Sequence, residues 1–168
     1  FQWVIGVWAR PENAADDWEV DDDDVDLALA ETFETFKVWR AYCDPPFWWD
    51  RIKSWAGRYG HKRIIEWDTN TKRREMAYAL KAYAEAMSNE LTHDGDAVFA
   101  AHIGNARKRA TNIKSDDGHP MWHIQKPSPS SPLKIDLAMA GCRSWEARGD
   151  CIQAGAAKQK RRQRGVSF

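Results

Sequence analysis

Apolar and polar positions alternate between two periods along this chain. Residues 3–9, WVIGVWA, are β-branched and aromatic and close on Arg10-Pro11, which predicts a strand. Residues 21–36 predict a helix: acidic residues crowd its first turn, where the helix dipole favours them, and Val25, Leu29, Thr32, Phe33 and Phe36 follow near helical spacing. Residues 37–43 read as a second strand. Residues 46–59 read as a second helix with Trp48, Ile52, Trp55 and Tyr59 on one face and Gly57 and Gly60 near its end, where helix-stopping residues belong. A short strand over 63–67 and a long helix over 71–90 follow, the latter carrying Met76, Leu80, Tyr83 and Met87 as its stripe.

A further helix is expected over 94–108, packed through Val98, Phe99 and Ile103. The pattern then changes. SDDGHP at 115–120 joins two strand-like pieces, 110–114 and 121–126, into a β-hairpin. PSPSSP at 127–132 is a loop, and Ser131-Pro132 suits a helix start, with Ser as the cap and Pro at the first helical position. The last helix is expected over 133–148, with Ile135, Ala138, Met139, Cys142 and Trp145 as its core stripe. Strands alternating with helices predict an α/β sandwich with some parallel pairing.

Composition narrows the class. At 168 residues, 43% hydrophobic with ten tryptophans, the chain suits one domain with a real core. Twenty-five basic residues balance twenty-five acidic ones, so net charge does not point to a polyanion. Distribution is more telling: residues 12–34 are acidic, while Lys72-Arg73-Arg74, Arg107-Lys108-Arg109 and KQKRRQR at 158–164 are basic clusters able to pair with phosphates. Three cysteines without a CxxC pair fit a reduced compartment and neither a disulfide framework nor a zinc site. No apolar run approaches a membrane span, and neither a P-loop nor a GxSxG nucleophile pattern is present. Residues 1–154 are taken as one domain and 155–168 as a basic, disordered tail.

Two carboxylates are candidates for chemistry. AYCDPPFWWD ends an apolar strand on Asp44 and fixes the backbone behind it: Pro45 pushes Asp44 towards an extended conformation and Pro46 can open the next helix. A carboxylate at the C-terminal edge of a strand is where α/β proteins tend to place ligands, although Asp-Pro is also a common turn starter. Asp136 sits beside the apolar stripe of the last helix with Lys134 nearby, a position open to a metal ligand or to a dipole-stabilised surface acid. Two such acids on separate elements suggest a shared Mg²⁺ or Mn²⁺. His102 falls on a helix with Asp94, Asp96, Arg107 and Arg109 nearby.

The succession VWARPE, WEV, VWRAYCDPPFWWDRIKSWAGRYG, EWDTN, HDGDAVFAAHIGNARKR and KPSPSSPLKIDLAMAGCRSWEA resembles the C-terminal nuclease half of tailed-phage terminase large subunits. The resemblance covers the chain to about Ala154. It implies an RNase H-like fold: a central mixed sheet flanked by helices, with an added hairpin before the last helix. It further implies that the first strand pair and an ATPase half lie upstream of Phe1. The implied activity is two-metal-ion hydrolysis of concatemeric double-stranded DNA during genome packaging, in the host cytoplasm, with Mg²⁺ or Mn²⁺. Carried over by position, Asp44 and Asp136 are catalytic metal ligands, and a further acid is expected on an early strand before this chain. Lys134, Arg107, Lys108, Arg109 and His102 are expected DNA contacts, with Asp96 assisting. A portal protein and a small terminase subunit are the implied partners, and no membrane is involved. The alternative is a non-catalytic module of the same fold that docks on DNA or on a portal ring.

Overall fold

A computed structural model describes residues 1–157. Its elements run α1 (Asp22–Thr35), β1 (Ala41–Cys43), α2 (Trp49–Tyr59), β2 (Ile64–Glu66), α3 (Arg73–Asn89), α4 (Ala97–Asn105), β3 (Arg107–Lys114), β4 (Pro120–Gln125) and α5 (Asp136–Gln153). The protein is therefore mixed α/β, with five helices and small sheets among the described residues. No described helix is long and apolar enough to cross a membrane. The basic segment 158–164, expected to be disordered, lies outside the described residues.

Two apolar clusters organise the packing. In one, α3 contributes Met76, Ala79, Leu80 and Tyr83, which meet Phe99 of α4 and Cys142 of α5. Met76 and Cys142 are fully buried; side chains of Met size contribute about 1.5–3 kcal/mol each when removed from water. Close approach demands a small residue on α5: a Cβ at Gly141 would stand 2.5 Å from the Tyr83 hydroxyl and 3.1 Å from the Phe99 ring. In the other cluster, Ile52, Trp55 and Ala56 of α2 pack on Ile64 of β2, with Val25, Leu29 and Phe33 of α1 against them. The helical stripes expected on α1, α2 and α3 face these clusters, except that Met87 and Phe36 are exposed.

The strands depart from expectation. β1 and β2 pair in parallel, with Cys43 opposite Glu66, and β3 and β4 form the expected antiparallel hairpin. These remain two separate two-stranded sheets; no central mixed sheet joins them among the described residues. Residues 3–9 form no strand. Only Gln2 makes a bridge, to His93, and Trp3, Ile5 and Val7 point alternately to solvent. The segment has the alternation of a strand, yet no neighbour supplies the ladder that would fix it. Gln2 anchors it instead, accepting from the Tyr83 hydroxyl at 2.8 Å and donating to the Gly141 carbonyl at 2.7 Å.

Three boundaries also move. The helix expected over 94–108 stops at Asn105, because residues 107–110 pair with β4, so Arg107, Lys108 and Arg109 are strand residues. The last helix starts at Asp136 and not at 133. Ser131 closes a local turn through its hydroxyl to the Leu133 amide, and Pro132 lies outside the helix. At its other end α5 runs through Gly149 to Gln153 and closes at Gly155, which has φ +66°.

Candidate functional site

Asp44 follows β1 at the C-terminal edge of the parallel pair, where the Trp67 amide donates to the Cys43 carbonyl at 2.7 Å. The chain then turns sharply. Trp48 donates to the Pro45 carbonyl at 2.8 Å, Phe47 adopts φ +69°, and Pro46 occupies the second position. A proline there and a positive φ one residue later describe a turn of type II form, in which the third position ordinarily belongs to glycine. Pro45 is fully buried while the Phe47 ring stands wholly in solvent. The prolines thus hold Asp44 at the strand end and launch α2.

The Asp44 carboxylate meets α5. Arg143 donates through Nη2 to Asp44 Oδ2 at 2.5 Å, and the same nitrogen donates to the Thr69 hydroxyl in the β2–α3 loop. Arg143 is buried, whereas the Asp44 side chain is 40% exposed. Asp44 Oδ1 and Arg143 Nε are buried without a hydrogen-bond partner among the described residues. Two residues before Asp44, on β1, the Tyr42 hydroxyl donates to Asp150, near the C-terminal end of α5, and its ring stacks on Trp67 at 4.7 Å. Burial, then the Asp150 bond, push the Tyr42 hydroxyl up to about 12. Burial likewise pushes the Cys43 thiol up to about 11, away from nucleophilic use.

Asp136 stands elsewhere on the same helix. It is the first residue of α5, exposed, and lines a groove with Arg10, Glu12, His102 and Lys134. Seven residues separate it from Arg143, so the two share a helix face at a rise of about 10 Å. Arg143 reaches Asp44, so the strand edge meets α5 two turns after Asp136. The expected acids are not gathered into a cluster: no group of three His, Cys, Asp or Glu able to hold an ion occurs among the described residues. Asp44 itself suits a ligand's role, since a buried carboxylate oxygen without a donor calls for a partner.

The remaining candidates have local partners. His102 Nδ1 accepts from the Leu137 amide at 3.1 Å and so caps α5, whose start has no side-chain cap of its own. Asp96 caps α4, accepting from the Phe99 amide at 2.6 Å. The Lys134 carbonyl accepts from Asn105 at 3.0 Å, leaving its side chain in the Asp136 groove. Arg107 folds back onto the Gly104 and Ala106 carbonyls. Lys108 lies 4.3 Å above the Trp122 ring. Arg109 faces His123 directly across the hairpin.

Sequence reasoning missed Arg143 and Thr69. Arg143 was legible in principle, because it repeats the Asp136 face after two turns; it sits beside Cys142 in a stripe read as apolar.

Comparisons place the chain near phage proteins without naming a function. No protein-family profile matches it, and no solved structure matches it. It is 23% identical over 168 residues to the gene 13 protein of Mycobacterium phage L5, and equally so to that of Mycobacterium phage D29, covering 95% of this chain in each case. The chain spans about a quarter of the length of these curated relatives, 27% of each, and its similarity is to bacteriophage proteins.

Proposed function

We propose that this chain is an RNase H-like nuclease domain of a tailed-phage DNA-packaging enzyme, cutting concatemeric double-stranded DNA with Mg²⁺ or Mn²⁺. The order of motifs supports the reading, and the similarity to phage proteins agrees with it. The observation that carries it is the buried Oδ1 of Asp44, an acceptor with no donor at the edge of a parallel strand pair. In this reading Asp44 and Asp136 are metal ligands, completed by the further acid the resemblance implies. Divalent ions there would polarise the phosphate and ready a water for attack. The chain's own part is positional. Pro45 and the turn behind it fix the strand end, Arg143 orients Asp44 through Oδ2, and Lys134 stands beside Asp136 to meet a phosphate. A portal protein and a small terminase subunit are the proposed partners, and the host cytoplasm the proposed place of action.

The test is cleavage of linear duplex DNA by the protein that carries this domain, with and without Mn²⁺. Asp44→Asn is expected to abolish metal-dependent cutting while leaving the protein folded. Cutting at the wild-type rate by that variant would sink the reading.

One observation favours a second reading. Asp44 is already paired with Arg143, and no three-ligand cluster surrounds it among the described residues. A non-catalytic module that docks on DNA or on a portal ring would look the same. Mn²⁺ affinity lost in Asp136→Ala selects the nuclease; DNA binding indifferent to metal selects the module.

A further inference from the structure

Beside the Asp44–Arg143 pair lies a cleft of about 530 Å³ that none of the expected metal ligands lines. Thr69, Asn70 and Arg73 form one wall, at the start of α3; Arg109 and His123 of the hairpin form another, and Met139 of α5 closes it. No Asp or Glu lines it among the described residues. Neither the Arg73 nor the Arg109 side chain has a hydrogen-bond or ion-pair partner among them. By contrast Arg74, one residue on, is occupied by Asp116 at 2.8 Å and by the Lys114 carbonyl at 3.0 Å.

His123 lines the cleft and is 6% exposed, and its Nε2 donates to the Arg73 carbonyl at 2.8 Å. That bond also ties the hairpin to the first residue of α3, so the two guanidinium-bearing walls are held together. Arg109 is directly opposite His123 in the ladder, where neighbouring Cβ atoms stand about 4.5–5.5 Å apart. Two unpaired guanidinium groups, a helix start and hydroxyl and amide side chains converge on one volume without an acid. That is the chemistry of an anion seat, and guanidinium matches the planar geometry of a phosphodiester.

Position gives the seat its meaning. Thr69 belongs to both places: it lines the cleft, and its hydroxyl accepts from the nitrogen of Arg143 that holds Asp44. Met139 lies on α5 between Asp136 and Arg143, so the cleft borders the stretch of helix that separates the two candidate ligands. We propose that this cleft, between the start of α3 and the hairpin, seats backbone phosphates of duplex DNA next to Asp44, with Arg73 and Arg109 as the phosphate contacts. The proposal deepens the nuclease reading and rests on it for the identity of the ligand. It moves the principal DNA contacts away from Arg107 and Lys108, which are engaged within the hairpin and with the end of α4.

The test measures binding of a fluorescent 20-base-pair duplex to the 168-residue chain by anisotropy, between 50 and 200 mM salt. Arg73→Gln and Arg109→Gln are each expected to weaken binding about three- to tenfold whatever the duplex sequence, and to lower the salt slope by about 1. Arg148→Gln, whose guanidinium lies over Trp145 away from the cleft, is the control and is expected to bind as wild type. Circular dichroism melting of each variant reports on folding, and Arg109→Lys, which keeps the charge, is expected to retain most of the affinity. Wild-type affinity and slope in Arg73→Gln and Arg109→Gln would overturn the seat while leaving the nuclease reading intact. Loss of binding in these variants, with Asp44→Asn still cutting DNA in the longer protein, would keep the seat and overturn the nuclease. No duplex binding by the wild-type chain at 50 mM salt would overturn the seat.

Discussion

Arg143 and Asp44 are 99 positions apart in sequence and 2.5 Å apart in space, and they share the bond unequally. The arginine side chain is 9% exposed and the aspartate 40%. Removing the acid leaves a guanidinium in a dry place; removing the base leaves a carboxylate buried at Oδ1 but on a side chain that is 40% exposed. Asp44→Ala is therefore expected to lower stability by about 2–3 kcal/mol, and Arg143→Met by about 1 kcal/mol or less. Urea midpoints of the two variants check the order, and equal losses would contradict it.

Phe47 occupies the turn position that glycine or asparagine prefers, and its ring buries nothing. A non-glycine residue in the left-handed region costs about 1–2 kcal/mol relative to the right-handed one. Phe47→Asn should raise stability by about 0.5–1 kcal/mol, because asparagine adopts this conformation more readily. A lower melting temperature in Phe47→Asn would show that the ring has a partner within the folded protein.

His102 takes the place of a cap residue for α5. His102→Ala leaves the Leu137 amide without its acceptor at a cost of about 0.5–1 kcal/mol, within the range for lost caps. The localised signature is faster hydrogen exchange at the Leu137 amide, with the α3 amides unchanged. Uniform acceleration throughout the chain would speak against a capping role.

Cys142 supplies the pH dependence. Burial, reinforced by the charge of Glu146 and opposed by Arg143, pushes its thiol from the ordinary value of 9.0 up to about 12. Between those values the unfolded chain has released a proton that the folded chain keeps, so stability falls as pH rises. Below pH 9 the contribution is constant. The slope approaches about 1.4 kcal/mol per pH unit for one such group. Cys43, pushed to about 11, adds to it over the lower part of the same window. Urea midpoints at pH 8.5, 9.5 and 10.5 should fall less steeply in Cys142→Ala than in wild type; parallel lines would rule the thiol out.

Much of the helical framework could be read from the sequence because each stripe, such as Met76, Leu80 and Tyr83, is set by contacts at fixed short spacing. The hairpin was legible for the same reason, through its turn residues. Residues 3–9 were not: alternation describes a strand's faces, and whether a ladder forms depends on a neighbour that no local pattern names. The start of α5 misled because Ser131-Pro132 has the chemistry of a helix start, whereas the working acceptor, His102, comes from another helix. In the candidate site, Asp44 stood out through its prolines. Its partner Arg143 did not, since a charged residue in an apolar stripe shows its role only when the opposing strand is in place. Arg73 and Arg109 were visible as charge clusters, but the convergence that distinguishes them from Arg74 and Arg107 is a product of the fold.

The two apolar clusters meet where β1 crosses α5, and that crossing is fastened by Tyr42 to Asp150 and by Asp44 to Arg143. Oil on both sides and polar rivets between them make one joint: burial of Cys142 brings α5 against β1, and the two side-chain bonds fix where along the helix the strand edge bearing Asp44 comes to rest. The place of Asp44 relative to Asp136 is thus set by residues that neither acid's own element supplies alone.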